Sequence, residues 1–360
     1  MSTFVVSGWS AVSPFGIGTA PFSSGIAGGA TAPVPPGEEW GQVPAPGTHL
    51  LVPEFSARSA LGKKGTRSMD RVSALAVTAV GDLLSSDERH REVATGERAA
   101  LVLGTTTGSV KSMMDITRDT LIHEKPFYID AARIPNAIMN SAAAQCAIWH
   151  ELRGPNTTVA GGRVAPLFAM RYAMRLLEAD RAGAVLCGGA EEFSAARAWL
   201  EHHGRSEPEA GVLSEGCALF LLERAATETG RRAEVLAVET GVHGTADAEE
   251  MMLACLRRAF ERADVTPEDT WAVSSVPCGE TLGAGERAAI AAMFGSSPVR
   301  HVPDGLPWGD AGAVTAAFQL AAVLAEAERD PAAAGRVAVI VTMDRDGVLG
   351  CALLRMGAAS

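Results

Sequence analysis

The stretch GPNTTVAGGRVAPLFAMRYAMRLLEAD, from Gly154 to Asp180, has the layout of a strand, a tight turn and a helix. A turn of this kind presents one side chain at a helix N-terminus. There the helix dipole and the free backbone N–H groups favour a thiolate or an oxyanion. A cysteine in that place would be a nucleophile for acyl transfer. The residue there is Arg163, whose guanidinium stays protonated and cannot carry an acyl group. Its charge is also the wrong sign for a helix N-terminus. Cys146 lies upstream in a helical segment and Cys187 on the next strand. A buried arginine needs a partner; Glu191, Glu192 or a backbone carbonyl is expected to supply one, with the side chain acting as a structural plug.

The elements that position this turn are legible from hydrophobic runs. Short continuous apolar segments read as strands: Phe4–Ser7, Ala99–Leu103, Ala184–Cys187, Ala218–Leu222, Ala233–Val238, Trp271–Val276, Val337–Thr342 and Cys351–Leu354. Continuous rather than alternating runs suit a sheet covered on both faces. Helical patterns lie between them, at Asp70–Ser86, Pro166–Asp180, Ala248–Asp264, Gly285–Phe294 and Asp310–Ala327. This order implies an α/β protein with largely parallel sheets. The series occurs twice, each time ending in two strands, which points to a duplicated half with residues 1–228 and 229–360 as the two units. Thr31–Pro53, rich in Pro and Gly, reads as a surface excursion, and Gly204–Gly211 as a loop.

Composition narrows the function classes. The chain has 360 residues, 47% of them hydrophobic, and a formal net charge of -11. That balance fits a folded protein with a sizeable core. It argues against a nucleic-acid partner, which wants a basic face. None of the six cysteines forms a CxxC pair, so no metal site is expected, and most sit in apolar runs as buried thiols. Neither a signal peptide nor a membrane span is read, and a cytoplasmic location is expected.

Over nearly its whole length the sequence resembles the β-ketoacyl synthases of the thiolase-like superfamily. The resemblance is carried, in order, by VVSGWSAVSPFGIGTAPFSSGIAGG, TRSMDRVSALAV, GTTTGS, IPNAIMNSAAAQCAIWHELRGPNTTV, VLCGGAEEF and SEGCALFLLERAATETGRRAEVLAVETG. It implies a five-layer α-β-α-β-α fold of two related halves, and pairing into dimers. It also implies a catalytic Cys and two His. Anchored on Gly154, Pro155 and Val159, the Cys position falls on Arg163. Anchored on Glu286 and Phe294–Gly295, the first His position falls on Ser275. Anchored on Gly312, Ala313 and Phe318, the second falls on Leu306, with His301 in place of the preceding Lys. The Phe of the gating loop is matched by Val348. His243, in VHGT, lies too early in the chain to be the first His and reads as a turn residue.

Loss of all three positions is similar to the chain length factors, the non-catalytic ketosynthase β subunits of type II polyketide synthases. There the Cys position is most often Gln, so Arg163 departs from the pattern. The resemblance implies a heterodimer with an active ketosynthase, and an acyl carrier protein met mainly through that partner, with no cofactor. It implies a steric tunnel wall at Ser109, Ser112, Met113 and Ile116, on one face of a helix. Aromatic and reduced polyene products both remain open, with the small serines leaning to the reducing type. Arg67, Arg71, Lys63 and Lys64 are either a carrier-protein contact or a solvated helix start. The competing reading is an acyltransferase or decarboxylase that uses Ser275 or Cys278.

Overall fold

The computed structural model describes residues 3–357 apart from 29–32, 36, 45–46, 205–211, 226–230, 245–246, 296–298 and 304. Most of the expected Gly204–Gly211 loop, parts of Thr31–Pro53 and the expected boundary between residues 228 and 229 lie outside the described residues.

The first series of elements comprises β1 (Phe4–Ser13), α1 (Thr19–Gly28), α2 (Arg71–Ser85), β2 (Ala99–Thr105), α3 (Val110–Ile122), α4 (Ser141–His150), β3 (Asn156–Ala160), α5 (Ala165–Glu178), β4 (Ala184–Glu191), α6 (Ala195–Gly204) and β5 (Gly216–Arg224). The second comprises β6 (Ala233–Val242), α7 (Ala248–Ala263), β7 (Thr270–Ser275), α8 (Thr281–Phe294), β8 (Arg300–His301), α9 (Thr315–Ala327), β9 (Val337–Met343) and β10 (Val348–Met356). The strands run β3-β2-β4-β5-β1 and β8-β7-β9-β10-β6, the same order twice. The two sets join where Phe4–Val6 of β1 pairs antiparallel with Ala233–Val235 of β6.

The sheets are mixed rather than largely parallel. β2 runs parallel to β3 and β4, and β7 to β8 and β9. β5 and β10 run antiparallel to β4 and β9, and again to β1 and β6. The two strands that close each series follow one another without a crossover helix packed on the sheet, so the chain reverses and they pair antiparallel.

Side-chain alternation along each strand builds the layers. Leu101, Leu103, Leu186 and Leu219 pack under α2 and α4, while Val102, Val185 and Phe220 face the centre. In the second set Val339, Val341 and Cys351 pack under α7 and α8, while Ala338 and Ile340 face the centre. α5 and α9 fill the central layer between the sheets. The five layers are α-β-α-β-α, the thiolase-like arrangement.

The Pro/Gly-rich segment is more than a surface excursion. Its described part contains a short strand, His49–Leu50, parallel to Leu213–Ser214. His49 is buried and stacks on Phe193 at 4.2 Å, and Trp40 meets the same ring at 5.3 Å. The Arg71 guanidinium lies over Trp40 and Phe55 and pairs bidentately with the fully buried carboxylate of Glu215, both N···O distances 2.5 Å. Glu215 also accepts from the backbone N–H groups of Val52 and Phe193. Aromatic anchors and an ion pair, rather than an apolar run, hold this segment down, so its composition concealed the attachment.

Glu215→Ala leaves Arg71 and two backbone donors without their acceptor and is expected to destabilise the fold by about 3 kcal/mol in urea unfolding. Glu215→Gln, which keeps an acceptor, should cost less.

Candidate functional site

The turn singled out by the sequence is a single 3-10 turn, Gly162–Val164, between β3 and α5. Gly162 has φ +50°, and a Cβ there would run into the Asp344 carboxylate, so glycine is required on both counts. The second half repeats the device. Gly312 has φ +52° and opens the turn Gly312–Val314 that leads into α9, and a Cβ there would meet Glu191 and Arg197. The two turns are cross-connected. The Arg163 N–H donates to Asp344 Oδ2 at 2.8 Å, and the Ala313 N–H donates to Glu191 Oε2 at 3.2 Å. Asp344 follows β9, and Glu191 ends β4, the corresponding strand of the other half. Each half thus lends a carboxylate to the other half's turn.

The Arg163 side chain is buried, with 7% of its surface exposed. Burial alone would pull its pKa down. The Asp310 carboxylate foremost, then Cys278 and Glu286, outweigh that, so the guanidinium is held charged more firmly than in water. Its Nε has no hydrogen-bond partner among the described residues. The expected partners are therefore corrected. Glu191 is taken by Thr106 and the Ala313 N–H. Glu192 is taken by Ser109 and by the N–H groups of Val72 and Lys111. The two glutamates are adjacent at a strand end and point to opposite sides, which a doublet in sequence does not reveal. Asp310 and Glu286 come from loop and helix positions of the second half.

The three positions singled out in the sequence do come together. The Ser275 hydroxyl, at the end of β7, donates to Glu286 Oε1, and Glu286 in turn faces Arg163. Burial pushes the Glu286 carboxyl up to about 7, against the opposing pulls of Ser275 and Arg163. Leu306 packs against the central core and shares a cleft with Ser275, with exposed His301 at its rim. Val348 packs against the same core. His243 sits beyond the end of β6, where its backbone N–H donates to the Gly347 carbonyl, in keeping with a turn residue. Cys278, which the competing reading would use, is only 4% exposed. All six cysteines are buried and unbridged.

Ser109 caps α3, accepting from the Ser112 N–H and donating to Glu192. Both serines line a cavity of about 870 Å³ whose walls also carry Arg67, Arg71, Lys111 and Arg133 beside Asp70, Asp115, Asp130 and Glu192. Met113 is exposed and Ile116 half-buried, and neither lines this cavity. Burial, then the neighbouring Asp70, pushes Glu192 up to about 8. Arg71 is committed to Glu215 and is not a free surface cation.

A family model for the β-ketoacyl synthase N-terminal domain matches residues 2–228. The chain belongs to the β-ketoacyl synthase family. Its backbone superposes on a solved chain of the ishigamide ketosynthase/chain length factor with a TM-score of 0.93, at 45% identity over 99% of this chain and 100% of that one. A β-ketoacyl synthase from Burkholderia phymatum STM815 gives a TM-score of 0.80 at 19% identity over 99% and 100%, a likeness of fold alone. Among curated relatives, 3-oxoacyl-[acyl-carrier-protein] synthase 2 of Rhizobium meliloti (strain 1021) is 26% identical over 308 residues, 75% of this chain and 72% of its own. The match to the corresponding synthase of Vibrio cholerae spans 56% of this chain and about half, 53%, of that protein, at 25% identity. The likeness to that ketosynthase/chain length factor chain thus covers 99% of this chain. Among the described residues no helix is long and apolar enough to cross a membrane.

The raised pKa of Glu192 has a sign that unfolding experiments can read. Between about 4.5 and about 8 the folded protein holds a proton that the unfolded chain has released, so stability falls as pH rises through that window. Glu192→Gln is expected to flatten the fall by up to about 1.4 kcal/mol per pH unit, measured by urea titrations at pH 5 to 8.

Proposed function

We propose that this chain is a non-catalytic ketosynthase-like subunit that pairs with an active ketosynthase and forms part of the wall along which a polyketide chain grows. The observation that carries this reading is the backbone N–H of Arg163. In a condensing enzyme a donor at this turn would stabilise the oxyanion of the acyl-transfer step. Here it is held by the Asp344 carboxylate, an acceptor of the same charge as the oxyanion. The side chain at that position is a guanidinium enclosed by Asp310, Cys278 and Glu286. The position has lost its nucleophile and its electrostatics are reversed.

Two surface features support a partner. Among the described residues β3 pairs on one side only, with β2, and its residues are half to fully exposed, which leaves a strand edge open for pairing. On α3, α4 and the segment between them, Met114, Leu121, Ile122, Ile138 and Ile148 are exposed apolar side chains, Ile148 at 75%. Exposed apolar surface of this kind marks an interface. The solved relative at 45% identity is described as a ketosynthase/chain length factor. On this reading the acyl carrier protein is met mainly through the partner, in the cytoplasm. The end of the tunnel is set by the α3 region, where Ser109, Ser112, Met113 and Ile116 lie. The small serines favour a longer, reduced polyene chain.

Acyl transfer on Ser275 or Cys278 has less support. The Ser275 hydroxyl is committed to Glu286 as a donor, and the Cys278 thiol is enclosed beside Arg163.

Co-expression with an active ketosynthase is expected to give a 1:1 complex. Ile148→Asp should lower its yield by about tenfold without lowering the melting temperature of this chain. In the complex, Ser112→Trp is expected to shorten the product. A stable homodimer of this chain that accepts an acyl group would refute the proposal.

A further inference from the structure

We propose that Cys255 and Cys351 form an oxidation site, at which hydrogen peroxide converts two buried thiols into a reversible disulfide. Cys255 lies on α7 and Cys351 on β10, 96 positions apart in sequence. Their sulfurs are 3.7 Å apart, and the Cys351 sulfur is also 3.7 Å from the Cys255 carbonyl oxygen. The two sulfurs are therefore in contact, and rotation of the two side chains brings them to a bond of about 2.0 Å.

The surroundings hold the pair in place. Cys351 stands opposite Glu239 of β6. Glu239 pairs with Arg262 at 2.7 Å and with Arg258 at 3.8 Å, both on α7. These ion pairs clamp the helix over the strands at the level of the sulfurs, and Leu256, Val341 and Leu353 pack in the same apolar cluster. α7 lies between the pair and solvent, with Arg257 and Arg258 exposed just beyond Cys255. A peroxide molecule, scarcely larger than water, needs only a small local opening of this helix to arrive.

The thiolate is the form that attacks peroxide. Donation from the Cys351 S–H, aided by the Arg258 charge, holds the Cys255 thiol below its ordinary range in spite of burial, while Cys351 keeps its proton. Burial pushes Cys187 up to about 12 and raises Cys146 and Cys217 as well. The Cys255 sulfur attacks one peroxide oxygen: an S–O bond forms, the O–O bond breaks, and the departing hydroxide takes up the thiol's proton as water. The Cys351 sulfur then attacks the sulfenic sulfur: the S–S bond forms, the S–O bond breaks, and hydroxide leaves with the Cys351 proton as a second water. The two thiols lose two electrons and the peroxide gains them.

Treatment of the folded full chain with hydrogen peroxide, followed by denaturation without reductant, alkylation of the remaining thiols and peptide mass mapping, tests the site. Two of the six thiols should be lost, and a Cys255–Cys351 linked peptide should appear and vanish on addition of dithiothreitol. Because the bridge closes a long loop, the oxidised chain should melt higher by about 3 °C or more. Cys255→Ala should abolish the linked peptide. Should that variant fail to fold, Cys351→Val reads the same loss. Retention of all thiols, a bridge between other cysteines, oxidation of Cys255 without a bridge, or an oxidised chain that melts no higher would overturn the proposal. No ketosynthase takes part in this experiment, so its failure leaves co-purification and product length untouched.

Discussion

Two backbone N–H groups and two carboxylates tie the molecule together at its centre. Arg163 N–H donates to Asp344, and Ala313 N–H donates to Glu191. Each bond joins a turn at the start of a central helix in one half to an acid at the end of a strand in the other. The geometry needs left-handed backbone at Gly162 and Gly312, at φ +50° and +52°, so that both carboxylates can approach without meeting a Cβ. An N–H at the start of a helix lacks an intrahelical partner and carries the positive end of the helix dipole. A carboxylate answers both demands. The two bonds tie the starts of α5 and α9 to strand ends of the opposite half, beside the apolar packing of the two helices.

Once Asp344 occupies the first turn, the charge of Arg163 becomes intelligible. A cation at a helix N-terminus is unfavourable on its own, and a buried one is costly unless paired. The neighbourhood supplies Asp344 at the backbone and Asp310 and Glu286 around the guanidinium. Glu286 connects this cluster to Ser275, so two of the positions expected to carry catalysis are joined through one carboxylate. The third, Leu306, is apolar and packs against the core. On the proposed function, a reaction centre has become a structural junction, and the space near Ser275 and Leu306 opens as an apolar cleft instead.

The strands, the central helices and the duplication were readable because buried apolar runs of the right length dominate them. Val337–Met343 and Ala184–Glu191 need little more than their composition. Arg163, Ser275 and Leu306 were singled out by counting from Pro155, Glu286 and Gly312, and the fold brings Ser275 beside Glu286 and into one cleft with Leu306. What the sequence hid depends on directions at strand ends and on contacts between distant segments. Glu191 and Glu192 differ by one residue and serve opposite sides of the sheet, one holding the Ala313 turn and the other capping the start of α3. Asp344 and Asp310 sit in short loops whose composition reads only as polar. The strand-then-acid pattern shared by Glu191 and Asp344 was the signal that would have found them. Trp40 and His49 were masked in the same way, inside a segment whose prolines and glycines suggested solvent.

On the proposed function, acyl chemistry belongs to the partner and not to this chain. Intact-protein mass spectrometry of the co-purified pair, after incubation with an acyl-loaded carrier protein, addresses it directly. The predicted result is one acyl adduct on the ketosynthase and an unmodified mass for this chain. An acyl adduct on this chain, mapped to Cys278, Ser275 or any other side chain, would contradict it.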